Sequence, residues 1–263
     1  GFDAANTVGD WKIETTTINK TQSEGIFAEN TSGNWTISDS RVVNINDNSI
    51  EVDDSTGAWE VRDTTVRNAQ NGIETEDATN DWQVTNLTLH DVARDGIDAS
   101  RTTGDWNITD SEFTAIGIAA IEADETEGNW RVTNSILTNG SGTAVNANDA
   151  VVEGSVGYNY WGAADGPAPR GSGGEAFGNL SISPGFYADA QLTNLIRPFA
   201  APVIFAPSDG SYDPSSPHTI GTSHNATGVI SSDDLAIRLV NVTDQNRTVV
   251  AVNDSSTIPV DTG

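Results

Sequence analysis

Gly33-Asn34-Trp35-Thr36-Ile37-Ser38-Asp39-Ser40 decides the fold, because near-copies of it recur through the first two thirds of the chain. Trp11, Trp35, Trp59, Trp82, Trp106 and Trp130 follow one another at intervals of 24, 24, 23, 24 and 24 residues. A fixed period of this size marks a repeat architecture, in which each unit buries its apolar face against its neighbours. The columns around each tryptophan agree. Two residues on stand Ile13, Ile37, Val61, Val84, Ile108 and Val132; four on, Thr15, Asp39, Asp63, Asn86, Asp110 and Asn134; seven on, Ile18, Val42, Val66, Leu89, Phe113 and Leu137. Each unit then carries a second pair, Ile26/Ala28, Ile50/Val52, Ile73/Thr75, Ile97/Ala99, Ile121/Ala123 and Val145/Ala147.

Separations of two within each unit, punctuated by Asn, Asp, Gly, Ser and Thr, give short strands joined by turns. No window carries the helical i, i+3, i+4, i+7 pattern over two turns. Three strands in about 24 residues, repeated in register, predict coils stacked at the inter-strand spacing of about 4.8 Å. Each tryptophan shares parity with the Ile or Val two residues later. The spacing therefore predicts a buried aromatic ladder, not an exposed sugar-stacking surface. The Asn/Asp column four residues after each Trp predicts a tight turn with φ > 0.

The repeats resemble the right-handed parallel β-helix family. Tyr158-Asn159-Tyr160-Trp161-Gly162-Ala163-Ala164-Asp165-Gly166-Pro167 strengthens the likeness. It is similar to the Asn-aromatic-Trp-Gly...Gly-Pro segment that ends many archaeal and bacterial β-helices, among them secreted surface proteins and the maturation proteins of nitrous-oxide reductase. The resemblance implies an all-β fold, with a right-handed parallel β-helix of about seven coils over residues 1–192. Gly178 to Pro184 would close it. A linker and a partial immunoglobulin-like β-sandwich segment are expected over 193–263, where Leu235–Val242 and Thr248–Val252 read as a hairpin. The copper handling of the maturation proteins does not carry over, because the chain has no Met, no Cys and no histidine cluster.

Gly1 to Val8 aligns without gaps on Gly25 to Ser32, so the sequence opens partway through a coil. An open coil exposes unpaired backbone groups. This leads to the expectation of a segment of a longer polypeptide, or of self-assembly through the open β-helix end.

Thirty-eight acidic residues face twelve basic ones, for a net charge of -26. Such a field repels nucleic acid and anionic lipid. At molar salt the screening length falls to about 3 Å and the self-repulsion fades. The composition thus resembles that of a haloarchaeal protein. No apolar run reaches the roughly 20 residues of a membrane span. Asn-x-Ser/Thr triplets at Asn19, Asn30, Asn34, Asn86, Asn107, Asn139, Asn179, Asn225, Asn241, Asn246 and Asn253 are candidate glycosylation sites. They point to an extracellular or cell-surface protein, a virion surface included.

One stripe could carry chemistry. The outward residue of the second pair is Phe27, Glu51, Glu74, Asp98, Glu122 and Asn146, and two residues on stand Glu29, Asp53, Glu76, Ser100, Asp124 and Asn148. Carboxylates spaced by one coil suit general acid and base work on a glycoside, with Glu51, Glu74, Asp98 and Glu122 as candidates and Arg101 as a lyase-type base or an anchor for a substrate carboxylate. Glu74, Glu76, Asp98, Glu122 and Asp124 could instead ligate Ca²⁺ or another structural cation, and no other cofactor is called for. A stripe of this kind is also what a uniformly acidic surface produces. The near-constant coil length leaves no loops to build a cleft. His90, His218 and His224 make no metal-ligand spacing.

Two functions follow. The first is a structural or adhesive surface glycoprotein of a halophile, with a carbohydrate or another surface protein as partner. The second is a polysaccharide-active lyase or glycoside hydrolase working on the acidic face.

Overall fold

The computed structural model describes residues 1–138, 142–183 and 185–196, together with the backbone of His218–Thr219, Gly228–Ser232, Leu235–Leu239 and Thr248–Val249. Among the described residues there are strands and turns but no helix, and so no helix long and apolar enough to cross a membrane. Two units separate at Arg197 and Pro198.

The first unit is a parallel solenoid. Its tryptophan-bearing strands pair in sequence, Trp11 on Trp35, Trp59, Trp82, Trp106 and Trp130, and continue to Gly154–Ser155 and Leu180–Ser181. The strands holding Val42, Val66, Leu89, Phe113 and Leu137 belong to the same sheet. In two coils both segments run together as Trp59–Ala69 and Trp82–Val92. A second parallel sheet stacks Ile26, Ile50, Ile73, Ile97, Ile121 and Val145. From Trp35 to Trp130, and along the Val42 and Ile26 columns, these side chains are buried and form one continuous core, with Trp11 and Leu180 partly buried at its ends.

The tryptophan ladder follows the expected parity. Ring centroids lie 4.7 to 5.1 Å apart and successive planes differ by 3 to 6°, opening to 20° at Trp130. That spacing is the strand spacing, larger than a carbon contact distance of about 3.5 to 4.0 Å. The rings must therefore slope across the axis into offset stacks, the geometry aromatic pairs prefer. Gly154 ends the ladder, since it takes the tryptophan position of its coil and a Cβ there would meet the Trp130 ring at 1.8 Å. The glycine two residues before Trp59 has a similar cause. A Cβ on Gly57 would lie 1.9 Å from Gly33 O.

Three turns close each coil, and each has its own left-handed column. The expected one is Thr15, Asp39, Asp63, Asn86, Asp110 and Asn134, with φ between 49 and 53°. The second is Asn6, Asn30, Asp54, Asp77, Arg101, Glu125 and Asp149, and the third Lys20, Asn44, Asn68, Asp91 and Ala115. Asn and Asp tolerate this backbone best, and their amides link coil to coil. Asn68 donates to Asn44 at 2.9 Å, and Asn44 donates to Asn19 at 2.9 Å. The odd 23-residue interval is absorbed in one turn: Ala69 to Ile73 is one residue shorter than Ile45 to Ile50, and the strands on either side keep their partners.

One sequence expectation needs correction. Coil length is not uniform to the end, because Val145 pairs with Ala176 across an excursion that includes Pro167–Ala168 and its pairing to Gly173–Gly178. In the C-terminal unit, Leu235–Leu239 pairs antiparallel with Gly228–Ser232, and Thr248–Val249 with His218–Thr219. Of the expected hairpin between residues 235–242 and 248–252, only Leu235–Leu239 and Thr248–Val249 are described, so the turn and the pairing around it lie outside the described residues. The rest of the sandwich expectation, and His224, lie outside the described residues.

Asn159 shows why the motif at the end of the solenoid reads as it does. Inside the turn after the tryptophan strand, in the last coils of the solenoid, a buried side-chain oxygen accepts the main-chain N–H of the preceding coil: Ser111 from Leu87, Ser135 from Ser111, and Asn159 from Ser135 at 2.9 Å. Asn159 Nδ2 then donates to Val132 O at 2.8 Å and Val156 O at 3.0 Å. Trp161, fully buried, fills the core position beyond Leu137. Replacing Asn159 with Ala orphans one N–H and two carbonyls, and we expect a loss of about 2 to 4 kcal/mol in equilibrium urea unfolding. A loss below about 0.5 kcal/mol would mean that the column does not hold the end coil.

Candidate functional site

The acidic stripe lies on the second sheet. Glu51, Glu74, Asp98 and Glu122 occupy consecutive positions of one column, flanked by Phe27 and Asn146, and Asp53, Glu76, Ser100 and Asp124 stand two residues on. The parallel register places them as expected. Their environments were not legible. Asp98 is only 8% exposed and accepts from Ser100 Oγ at 2.6 Å and Ser100 N at 3.1 Å. Glu51 accepts from Asn48 Nδ2 at 3.0 Å, Glu74 from Asn71 Nδ2 at 3.0 Å, and Glu122 from Asn146 Nδ2.

The column three residues earlier was missed. In coils two and three, Asn48 and Asn71 supply an amide to the following glutamate; in coil four the place is held by Asp95, 4% exposed, beside Asp98. Asp95 Oδ1 accepts from Ala119 N at 3.0 Å. Two nearly buried carboxylates thus meet where coils two and three pair an amide with a carboxylate. The spacing Asn48-x-x-Glu51, Asn71-x-x-Glu74, Asp95-x-x-Asp98 was the available signal.

Burial pushes Glu122 up to about 8, with Asp95, Asp98 and Asp124 adding repulsion. Asp53 also rises to about 8, through burial and the charges of Glu74, Glu51 and Glu76. Burial likewise raises Glu51, Glu76, Asp95 and Asp124. At neutral pH the stripe therefore keeps protons on some members, because a second charge in a half-buried row of like charges costs more than neutralising it. A protonated Glu122 beside charged neighbours is the chemical form of a general acid with a base nearby.

Arg101, expected as an anchor for a substrate carboxylate, is already engaged. It sits in the left-handed column at φ 58°, and its guanidinium forks onto Asp77 at 3.0 and 3.1 Å and also meets Glu76. Asp77 and then Glu76 hold it above its ordinary value. It ties two coils together. The five calcium candidates are strung along the face, one or two to a coil, each with its own protein partner or none. Among the described residues no group of three or more His, Asp or Glu side chains is arranged to hold a metal ion. Parallel stacking produces a line of carboxylates where a cation needs ligands converging from several sides.

A second feature lies along the tryptophan flank. A groove of about 850 Å³ runs across five coils from Asp10 to Asn107, lined in each by the tryptophan and the residue on either side of it. The indole N–H of Trp130 donates to Val152 O at 3.2 Å, whereas those of Trp35, Trp59, Trp82 and Trp106 are buried without an acceptor. Asp10 Oδ1 accepts Asn34 N at 2.9 Å and Asp81 Oδ1 accepts Asp105 N at 2.9 Å, so one rim of the groove is also a cross-coil ladder.

Of the glycosylation candidates, Asn19, Asn30, Asn34, Asn86 and Asn179 are exposed and Asn107 is half-buried. Asn139, Asn225, Asn241, Asn246 and Asn253 lie outside the described residues.

A solenoid of parallel coils with inward ladders and three turns per coil defines the class. The family of right-handed β-helix regions matches residues 4–157, more than half of the 263 residues, and the chain belongs to that family. No curated protein and no solved structure matches it.

The raised carboxyls fix the sign of a pH dependence. The native state holds protons on Asp53 and Glu122 up to about 8, whereas their ordinary values are 3.8 and 4.5. Between those limits the unfolded chain binds fewer protons, so stability falls as pH rises. Exposed Asp63 and Asp189, lowered by hydrogen bonds from Asn86 and Thr193, act in the opposite sense only below the ordinary carboxylate range. Urea unfolding at constant molar salt should give a higher midpoint at pH 5.5 than at pH 8, and Glu122→Gln should flatten the slope. An unchanged midpoint would show that the stripe is fully ionised in the folded protein.

Proposed function

We propose that the chain is part of an extracellular or cell-surface protein of a halophile, a stiff acidic β-helix that serves structural or adhesive ends. The observation that carries this reading is how the acidic face uses its carboxylates. Glu51, Glu74, Glu122, Asp98 and Asp53 each accept from an amide, a hydroxyl or a main-chain N–H of the solenoid, and Glu76 meets Arg101. A net charge of -26 suits a surface kept hydrated in brine, and the Asn-x-Ser/Thr triplets suit export. The groove along the tryptophan flank and the acidic face are the two surfaces on offer to a carbohydrate or a second surface protein.

One observation favours an enzyme acting on polysaccharide instead. Glu122 keeps a proton near neutral pH beside Asp95 and Asp98. The two readings part in one assay. Purified chain in molar KCl is incubated with neutral and uronate-containing polysaccharides, and reducing ends and unsaturated uronates are followed. The structural reading expects neither product. Turnover that falls at least about 100-fold in both Glu122→Gln and Asp98→Asn, with folding intact, would establish the enzyme.

A further inference from the structure

In the sequence the Asn-x-Ser/Thr triplets stand as equals, and the hydrogen bonds of the folded chain divide them. An N-linked glycan is carried on Nδ2, so an asparagine whose Nδ2 already serves the fold is a poor acceptor. Asn86 donates Nδ2 to Asp63 Oδ1 at 2.8 Å, joining two left-handed turns. Asn179 donates Nδ2 to Ala150 O at 3.0 Å and holds the closing strand to the coil before it.

Asn19, Asn30 and Asn34 are different. All three are exposed, and none uses Nδ2. Asn19 Oδ1 accepts from Asn44 Nδ2 at 2.9 Å, and Asn34 Oδ1 accepts from Ala58 N at 3.1 Å. Fixing the oxygen of a planar amide leaves its nitrogen on the far side, free of the fold. Asn30 sits in a left-handed turn at φ 56° with its main-chain N–H tied to Asp53 O at 3.0 Å, and its side chain makes no hydrogen bond. Backbone held and carboxamide free is the arrangement that lets a bulky group project without loosening the coil.

We propose that Asn19, Asn30 and Asn34, grouped on the first two coils, are the N-glycan acceptors among the exposed triplets of the described residues, and that Asn86 and Asn179 are structural amides, half-buried Asn107 being set aside by its burial. The step is a substitution without redox change. Nδ2 attacks the anomeric carbon of a lipid diphosphate-linked oligosaccharide, the carbon–nitrogen bond forms, the bond from the anomeric carbon to the diphosphate oxygen breaks, and the Nδ2 proton leaves with the diphosphate. The remaining N–H and Oδ1 keep their capacity, so the Asn44 and Ala58 bonds survive. The proposal rests on the surface reading only for the supply of that donor.

The test is expression of the chain through a eukaryotic secretory pathway, followed by glycopeptide mass spectrometry with site occupancy. Occupancy should be high at Asn19, Asn30 and Asn34 and at background at Asn86 and Asn179. Thr21→Ala, Ser32→Ala and Thr36→Ala destroy the three triplets without touching an asparagine, and together should remove the glycan mass while circular dichroism stays unchanged. Equal occupancy at Asn86 or Asn179 in folded protein overturns the proposal, as do bare Asn19, Asn30 and Asn34. The source of donor is tested separately by the mass of the natural protein: an unmodified cytoplasmic product sinks the surface reading and leaves the host result standing for the chemistry of the sites.

Discussion

Main-chain hydrogen bonds between parallel coils make each residue meet its own counterpart one repeat away. Ile26 N donates to Ser49 O, Ala28 N to Glu51 O and Thr75 N to Asp98 O, each at 2.8 or 2.9 Å, and the same ladder runs through every coil. The rise along the axis is therefore the strand spacing, and it applies to side chains as strictly as to backbone. Apolar columns benefit, because tryptophan packs on tryptophan and isoleucine on isoleucine without voids. Charged columns do not, because a carboxylate meets another carboxylate.

Much of the remaining architecture answers that second consequence. Half-buried Asp53 and Glu122 hold protons. Glu51 and Glu74 each take an amide from their own coil, and Arg101 bridges Glu76 and Asp77 from a turn position where most coils carry Asn or Asp. Turn columns of Asn and Asp do the same in polar form, since an amide offers a donor to one neighbour and an acceptor to the other. Ser111, Ser135 and Asn159 extend the device inside the coil, and Asn159 ends it by facing two carbonyls at once.

The two long faces differ in consequence. The acidic sheet is internally bonded and partly protonated, so its carboxylates serve the solenoid's own hydrogen bonds. The tryptophan flank is concave. Its aromatic rings are engaged with one another, so they stiffen the rod and leave the polar residues beside them to meet whatever approaches.

The sequence by itself determined the solenoid: a 24-residue period, strand parity that turns Trp35 and Ile37 inward, and an Asn/Asp column at a left-handed turn follow from local geometry that repeats. It also placed Glu51, Glu74, Asp98 and Glu122 in one row, because register in a parallel stack is arithmetic. Only the tertiary structure decided what those carboxylates are. Whether Asp98 is buried and whether Arg101 is free depend on side chains meeting across coils. The division of the asparagines arises the same way, since Asn86 and Asn30 look alike along the chain and differ only in what the adjoining coil presents to their amides. Desolvation and hydrogen-bond partnership are properties of a place in space, and a period in the chain fixes the place without fixing its occupants.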